Sequence, residues 1–189
     1  MEVHFRWTVV VLALFAGFEA SATSLDFTRS SGKVSVLERD FEGIVLSVTA
    51  KRRGRNADVT GNRGGLGVNG GVSHFQSWGR EKMVFSFTEA VNLSYLTFDS
   101  MTWNDWSGED KVRYSDSRGI SVLLKGSNWR WDLGAEGITS FTLEAKGFLT
   151  STFIADIDVE PVPLPSAAWL FLSAILGGAS LARARSSAV

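Results

Sequence analysis

Asp156, Asp158 and Glu160 alternate with Ile157 and Val159 near the end of the chain. Alternate side chains on a strand share a face, so three carboxylates would stand in one row, as two-carboxylate glycoside hydrolysis requires. The row stops at Pro161, and the expectation is a solvent-facing acidic row, not a catalytic cleft. His74 is the one histidine left once the first 22 residues are set aside. Charge-relay hydrolysis would pair it with Ser73 or Ser77 and a distant carboxylate, yet no Gly-x-Ser-x-Gly elbow occurs. It is read as a surface residue. Gly65-Leu66-Gly67-Val68-Asn69-Gly70 fits G-x-G-x-x-G. A dinucleotide site needs a helix directly after that motif, to turn its N-terminus to the pyrophosphate. Here Trp78-Gly79 and a strand pattern follow, so a loop with positive φ angles is expected.

Two further clusters suit binding. Asp99, Asp105, Glu109, Asp110 and Asp116 crowd one segment with Trp103 and Trp106. Calcium takes several oxygen ligands from flexible loops, so a structural calcium ion is physically sensible here, but EF-hand spacing is absent. The expectation is a solvated acidic loop with the tryptophans tucked onto the sandwich and no cofactor. The same segment offers a sugar platform of Trp103, Trp106, Asp105 and Asp110, flat rings for pyranose faces and acids for hydroxyls. Trp129 and Trp131 would share a strand face and are assigned to the core. Lys51-Arg52-Arg53-Gly54-Arg55, with Arg63 nearby, could hold an anionic polysaccharide through charge-assisted bonds, although a solvated loop is expected. It lacks the aromatic interleaving of single-strand nucleic-acid binders, and the net charge of −1 gives no pull toward nucleic acid. The absence of cysteine removes disulfides, thiolate metal sites and cysteine nucleophiles.

What positions these groups is β structure. Ile44, Leu46 and Val48 alternate with polar or smaller residues, and Val84–Thr88 and Leu93–Phe98 are β-rich runs separated by residues 89–92. Leu25–Thr28, Lys33–Leu37, Lys111–Tyr114, Ile120–Leu124, Ile138–Ala145 and Thr152–Val159 complete nine expected strands. No helical period runs for three turns outside the two ends. The expected fold is all-β, an antiparallel β-sandwich of jelly-roll type over residues 23–160, with a barrel as the rival.

Both ends read as addresses. Residues 1–22 form a secretory signal peptide: Arg6 is the positive region, Trp7 to Phe18 the apolar run, and Ala20-Ser21-Ala22 the small-x-small cleavage site before Thr23. The last domain boundary is at 161. Val162-Pro163-Leu164-Pro165 precedes an uncharged stretch over 166–182, then Arg183 and Arg185. As a helix this stretch reaches about 26 Å, a little short of an apolar bilayer core near 30 Å. Arginines behind it favour a cytoplasmic C-terminus and an outward-facing domain.

The order of motif, apolar helix and basic tail resembles the PEP-CTERM family of sorting signals, in its Val-Pro-Leu-Pro-Ala variant, with Ser166 where alanine is usual. The resemblance covers about the last 25 residues. It implies a Sec-exported protein of a Gram-negative bacterium, held transiently in the inner membrane, processed by an exosortase-type protease, and left at the cell surface or outside. It also implies an association with extracellular polysaccharide and biofilm. Gly65–Val68, Glu81, Met83–Phe87 and Val91–Leu93 resemble passenger domains that precede such signals. The acidic row is similar to the Glu-x-Asp-x-Glu strand of laminarinase-like hydrolases, but with Asp at its first position. The expectation is therefore a non-enzymatic matrix or polysaccharide-associated protein. A secreted glycoside hydrolase using Asp156 and Glu160, and a permanently anchored single-span protein, are the alternatives.

Overall fold

The computed structural model describes residues 21–68, 75–76, 80–99, 103–104, 108–125, 130–146 and 151–162. The strands are β1 (Thr23–Asp26), β2 (Gly32–Val34), β3 (Val36–Phe41), β4 (Ile44–Arg52), β5 (Arg55–Ala57), β6 (Val59–Asn62), β7 (Gly65–Val68) and β8 (Phe75–Gln76). They continue with β9 (Glu81–Asp99), β10 (Trp103–Asn104), β11 (Gly108–Glu109), β12 (Lys111–Asp116), β13 (Ser121–Lys125), β14 (Arg130–Lys146) and β15 (Ser151–Pro161). All their pairings are antiparallel, and no helix occurs among the described residues. The fold is all-β, as expected.

Local chemistry explains the hairpins. Phe41 pairs with Ile44 and Arg52 with Arg55, so Glu42-Gly43 and Arg53-Gly54 are two-residue turns. In both turns the first residue has φ 51° and the glycine φ 80°, the signature of type I′, whose twist matches the flanking strands. Between β12 and β13 the Asp116 carboxylate accepts from the N–H groups of Arg118 and Ile120 at 3.0 and 3.2 Å, closing an Asx-type turn.

Two long strands organise the rest. The first part of β9 lies between β4 and the end of β14, and β12 and β13 extend that side. The second part of β9 lies between the start of β14 and β15. Beyond β15 come β1 at residues 156–159 and β7 at Ile154, and β7 leads to β6 and β2.

Bulges let these strands serve both halves. Leu93 and Tyr95 face the consecutive residues Val159 and Asp158, which leaves one extra residue on β9. The buried side chains of β9 accordingly change from odd positions (Met83, Phe85, Val91, Leu93) to even ones (Leu96, Phe98). On β15 the register slips between Ile154 and Asp156, and burial passes from Thr152 and Ile154 to Ile157 and Val159. On β14 the slips fall around Gly134 and Gly137, both at positive φ.

The sequence expectation therefore needs correcting in three places. Residues 84–88 and 93–98 belong to one strand, which pairs with β14 on both sides of a register slip and passes from β4 to β15 on its other edge. The nine expected strands become fifteen among the described residues, mostly through short pieces such as β5 and β6 that alternation cannot reveal. Gly65–Val68 is not a loop but the buried strand β7. Only the positive φ at Gly65, 122°, agrees with the loop reading.

An aromatic column fills the interior. Phe85 of β9 stacks on Phe141 of β14 with centroids 4.5 Å apart and planes 6° from parallel. Tyr114 lies 5.7 Å from Phe141 on its other flank, and Phe27, which follows β1, lies 6.5 Å from Phe85. Phe27 is held to the β15 side by its N–H bond to the Ala155 carbonyl at 2.9 Å, so its ring ties one half of the sheet to the other. Phe27 and Phe85 are fully buried. Each such ring contributes a large share of the burial energy, plus about 0.5–1.5 kcal/mol for a favourable pair geometry.

Candidate functional site

The outer face of the first half carries a basic groove. Lys51 of β4, Lys82 of β9, Glu144 of β14 and Arg113 of β12 are consecutive cross-strand partners and form one row. With Arg53 and Gly54 of the β4–β5 turn, Arg80, Val84 and Thr142, the first three of that row line a cavity of about 870 Å³. Glu144 is the one carboxylate among the described lining residues, against Lys51, Arg53, Arg80 and Lys82. Around the turn, Arg52, Arg53 and Arg55 line a second cavity of about 410 Å³. Alternation turns Arg52 the other way, where its Nε meets the buried Glu81 at 3.5 Å.

Glu144 neutralises part of this charge, at 2.8 Å from Lys146 Nζ and 3.6 Å from Lys82 Nζ. Burial pushes its carboxyl up, but the Lys146 bond and the charges of Lys146, Lys82 and Arg113 outweigh that and hold it below the usual glutamate range. The groove is thus a set of fixed cations around one ionised acid. That arrangement favours anions.

The acidic row lies on the other half. Asp156, Asp158 and Glu160 stand on the half-buried face of β15, with Ile157 and Val159 turned into the core. Asp156 pairs across the strands with Asp26 of β1 and accepts a 2.8 Å bond from the Ser24 hydroxyl. Burial raises its carboxyl above the usual aspartate value; the Ser24 bond opposes this, and the charges of Asp26 and Asp158 add to it. Asp158 faces Tyr95, and the Arg130 guanidinium lies 3.9 Å above the Tyr95 ring. Neither Asp156 nor Glu160 lines either cavity.

The Trp and acid segment is described only in part. Asp110 is only 5% exposed and engaged within the fold, so it does not stand on an exposed platform. Trp103 lies on β10, paired with β11, while Asp105 and Trp106 lie outside the described residues. The Asp116 carboxylate is spent on its own turn. Burial would raise it, but the Arg118 side chain and N–H, the Ile120 N–H and the Tyr114 hydroxyl together hold it below the usual range. Among the described residues no three His, Cys, Asp or Glu side chains are placed to hold a metal ion. Trp131 packs against the core, and Trp129 lies outside the described residues.

His74, the cleavage residue Ala20, Pro163, Leu164, Pro165, the 166–182 stretch, Arg183 and Arg185 also lie outside them. Ala22 precedes β1, and Val162 donates its N–H to the Ala90 carbonyl at 3.3 Å. Among the described residues no helix is long and apolar enough to cross a membrane. Sequence reasoning found Lys51, Arg53 and Arg55 but missed Arg80, Lys82 and Glu144; strand register, which no local pattern reports, brings these to the groove. Comparison with protein families, curated proteins and solved structures yields no match to this chain.

Proposed function

We propose that the chain is an exported β-sandwich protein, sorted by an exosortase-type protease and serving a structural or polysaccharide-binding role at the cell surface or outside the cell. The observation that carries this is the order Val162-Pro163-Leu164-Pro165, uncharged stretch, Arg183 and Arg185, matched at the other end by Arg6, an apolar run and Ala20-Ser21-Ala22. The sandwich is supported by two strands, β9 and β14, that run through both halves of the sheet, with β9 changing its buried face midway. Contact between Phe27 and Phe85 across those halves points the same way. The absence of cysteine leaves burial of the aromatic column to stabilise the domain.

Peptide mapping by mass spectrometry, on the protein from cells and from medium, tests the sorting. The expected mature chain begins at Thr23 and lacks Arg183 and Arg185. A chain recovered with Arg183 still attached would show permanent anchoring instead.

A further inference from the structure

We infer that the groove between the β4–β5 turn and β9 binds a polysaccharide bearing carboxylate groups along its length. This deepens the binding role proposed above and rests on the protein meeting such polymers outside the cell.

Charge is the first argument. Lys51, Arg53, Arg80 and Lys82 line a cavity of about 870 Å³ that holds one carboxylate, Glu144, among its described lining residues. That open groove has room for a few sugar units of a longer chain. Arg53 also borders the second basic cavity, with Arg52 and Arg55.

The second argument is that the fold sustains this charge at a cost. Lys51 and Lys82 are direct cross-strand partners, and like charges so placed destabilise a sheet. Arg53 and Arg80 are both held in the left-handed region, at φ 51° and 49°. Asparagine, aspartate or glycine would sit there with less strain. Two strained arginines and an opposed lysine pair, all on one cavity, form a concentration of local cost of the kind that gathers at binding sites. A bound polyanion would relieve the lysine repulsion and use both arginines for charge-assisted bonds.

Single-stranded nucleic acid is also a polyanion. Its binders stack bases on aromatic rings, whereas the described residues lining this groove are Val84, Thr142 and Gly54 beside the charged ones. A carboxylated glycan, which needs cations and hydroxyl partners, is the better fit.

The test uses the full-length protein, purified in detergent, and the substitutions Lys51→Gln and Arg53→Asn. Asparagine suits the type I′ turn, so Arg53→Asn removes a charge while holding or raising the melting temperature. Affinity is measured by calorimetry for polygalacturonate, neutral dextran and single-stranded DNA at low and at raised salt. The expected result is binding to polygalacturonate that weakens with salt, no binding to dextran, and weaker binding to DNA. The double variant should lose about tenfold in affinity with its melting temperature unchanged or higher. Arg53→Lys should keep most of the affinity. Equal binding by the double variant, equal binding to dextran, or DNA binding as tight as that to polygalacturonate would each overturn the inference. C-terminal processing is read separately, so failed binding with correct processing removes this site and leaves the sorting proposal standing.

Discussion

Lys82 of β9 stands directly across from Lys51 of β4, and the Glu144 carboxylate reaches Lys82 from the opposite strand at 3.6 Å. The acid thus tempers a repulsion that strand pairing imposes.

Glu144→Gln should therefore weaken the domain. The expected loss is about 1 kcal/mol or less at low salt, since the pairs are partly exposed, and most of it should vanish at high salt. The carboxyl is held below its ordinary value, so its contribution is present above the unfolded glutamate pKa and disappears as pH falls through the folded one. Denaturant melts of both proteins across pH and salt check this. An equal difference at every salt concentration would show that the residue acts through packing.

Asp156 has the opposite sign. Its carboxyl is raised by burial and by neighbouring Asp26 and Asp158, so the folded state holds the proton more tightly than the unfolded chain does. Stability is lost as pH climbs from the ordinary aspartate range through the raised value. Asp156→Asn should raise the melting temperature at pH 7 and leave it unchanged near pH 3. Thermal scans at the two pH values decide the matter, and a lower melting temperature at pH 7 would mean that the Ser24 bond dominates.

Gly65 begins β7 at φ 122°, and a Cβ there would run into the Ile154 carbonyl and the Ala155 backbone. Gly65→Ala should cost more than about 1 kcal/mol, the scale of a compatible glycine replacement, because strain and collision add. Equilibrium unfolding measures it. A neutral result would mean that β7 can shift away from β15.

Phe141 touches Phe85, Phe87 and Tyr114. Phe141→Ala should destabilise the domain by about 3–5 kcal/mol through lost burial and the cavity left behind. The denaturation midpoint reports it, and a loss under about 1 kcal/mol would place the ring outside the main core.

The chain's own alternation was enough to mark β4, the ends of β9 and most of β12 and β15 as half-buried strands, because a period of two needs only neighbours in sequence. It also marked Lys51–Arg55 as basic and Asp156–Glu160 as acidic on one face. The terminal patterns proposed as export and sorting signals are likewise read only from the sequence. Tertiary structure alone decided that β9 is one strand, that Gly65–Val68 is buried, and that Asp110 and Asp116 are engaged within the fold. It alone placed Lys82 and Glu144 beside Lys51. The physical reason is register: a bulge or a cross-strand neighbour depends on the partner strand, and many partners lie far along the chain, where no local pattern reaches.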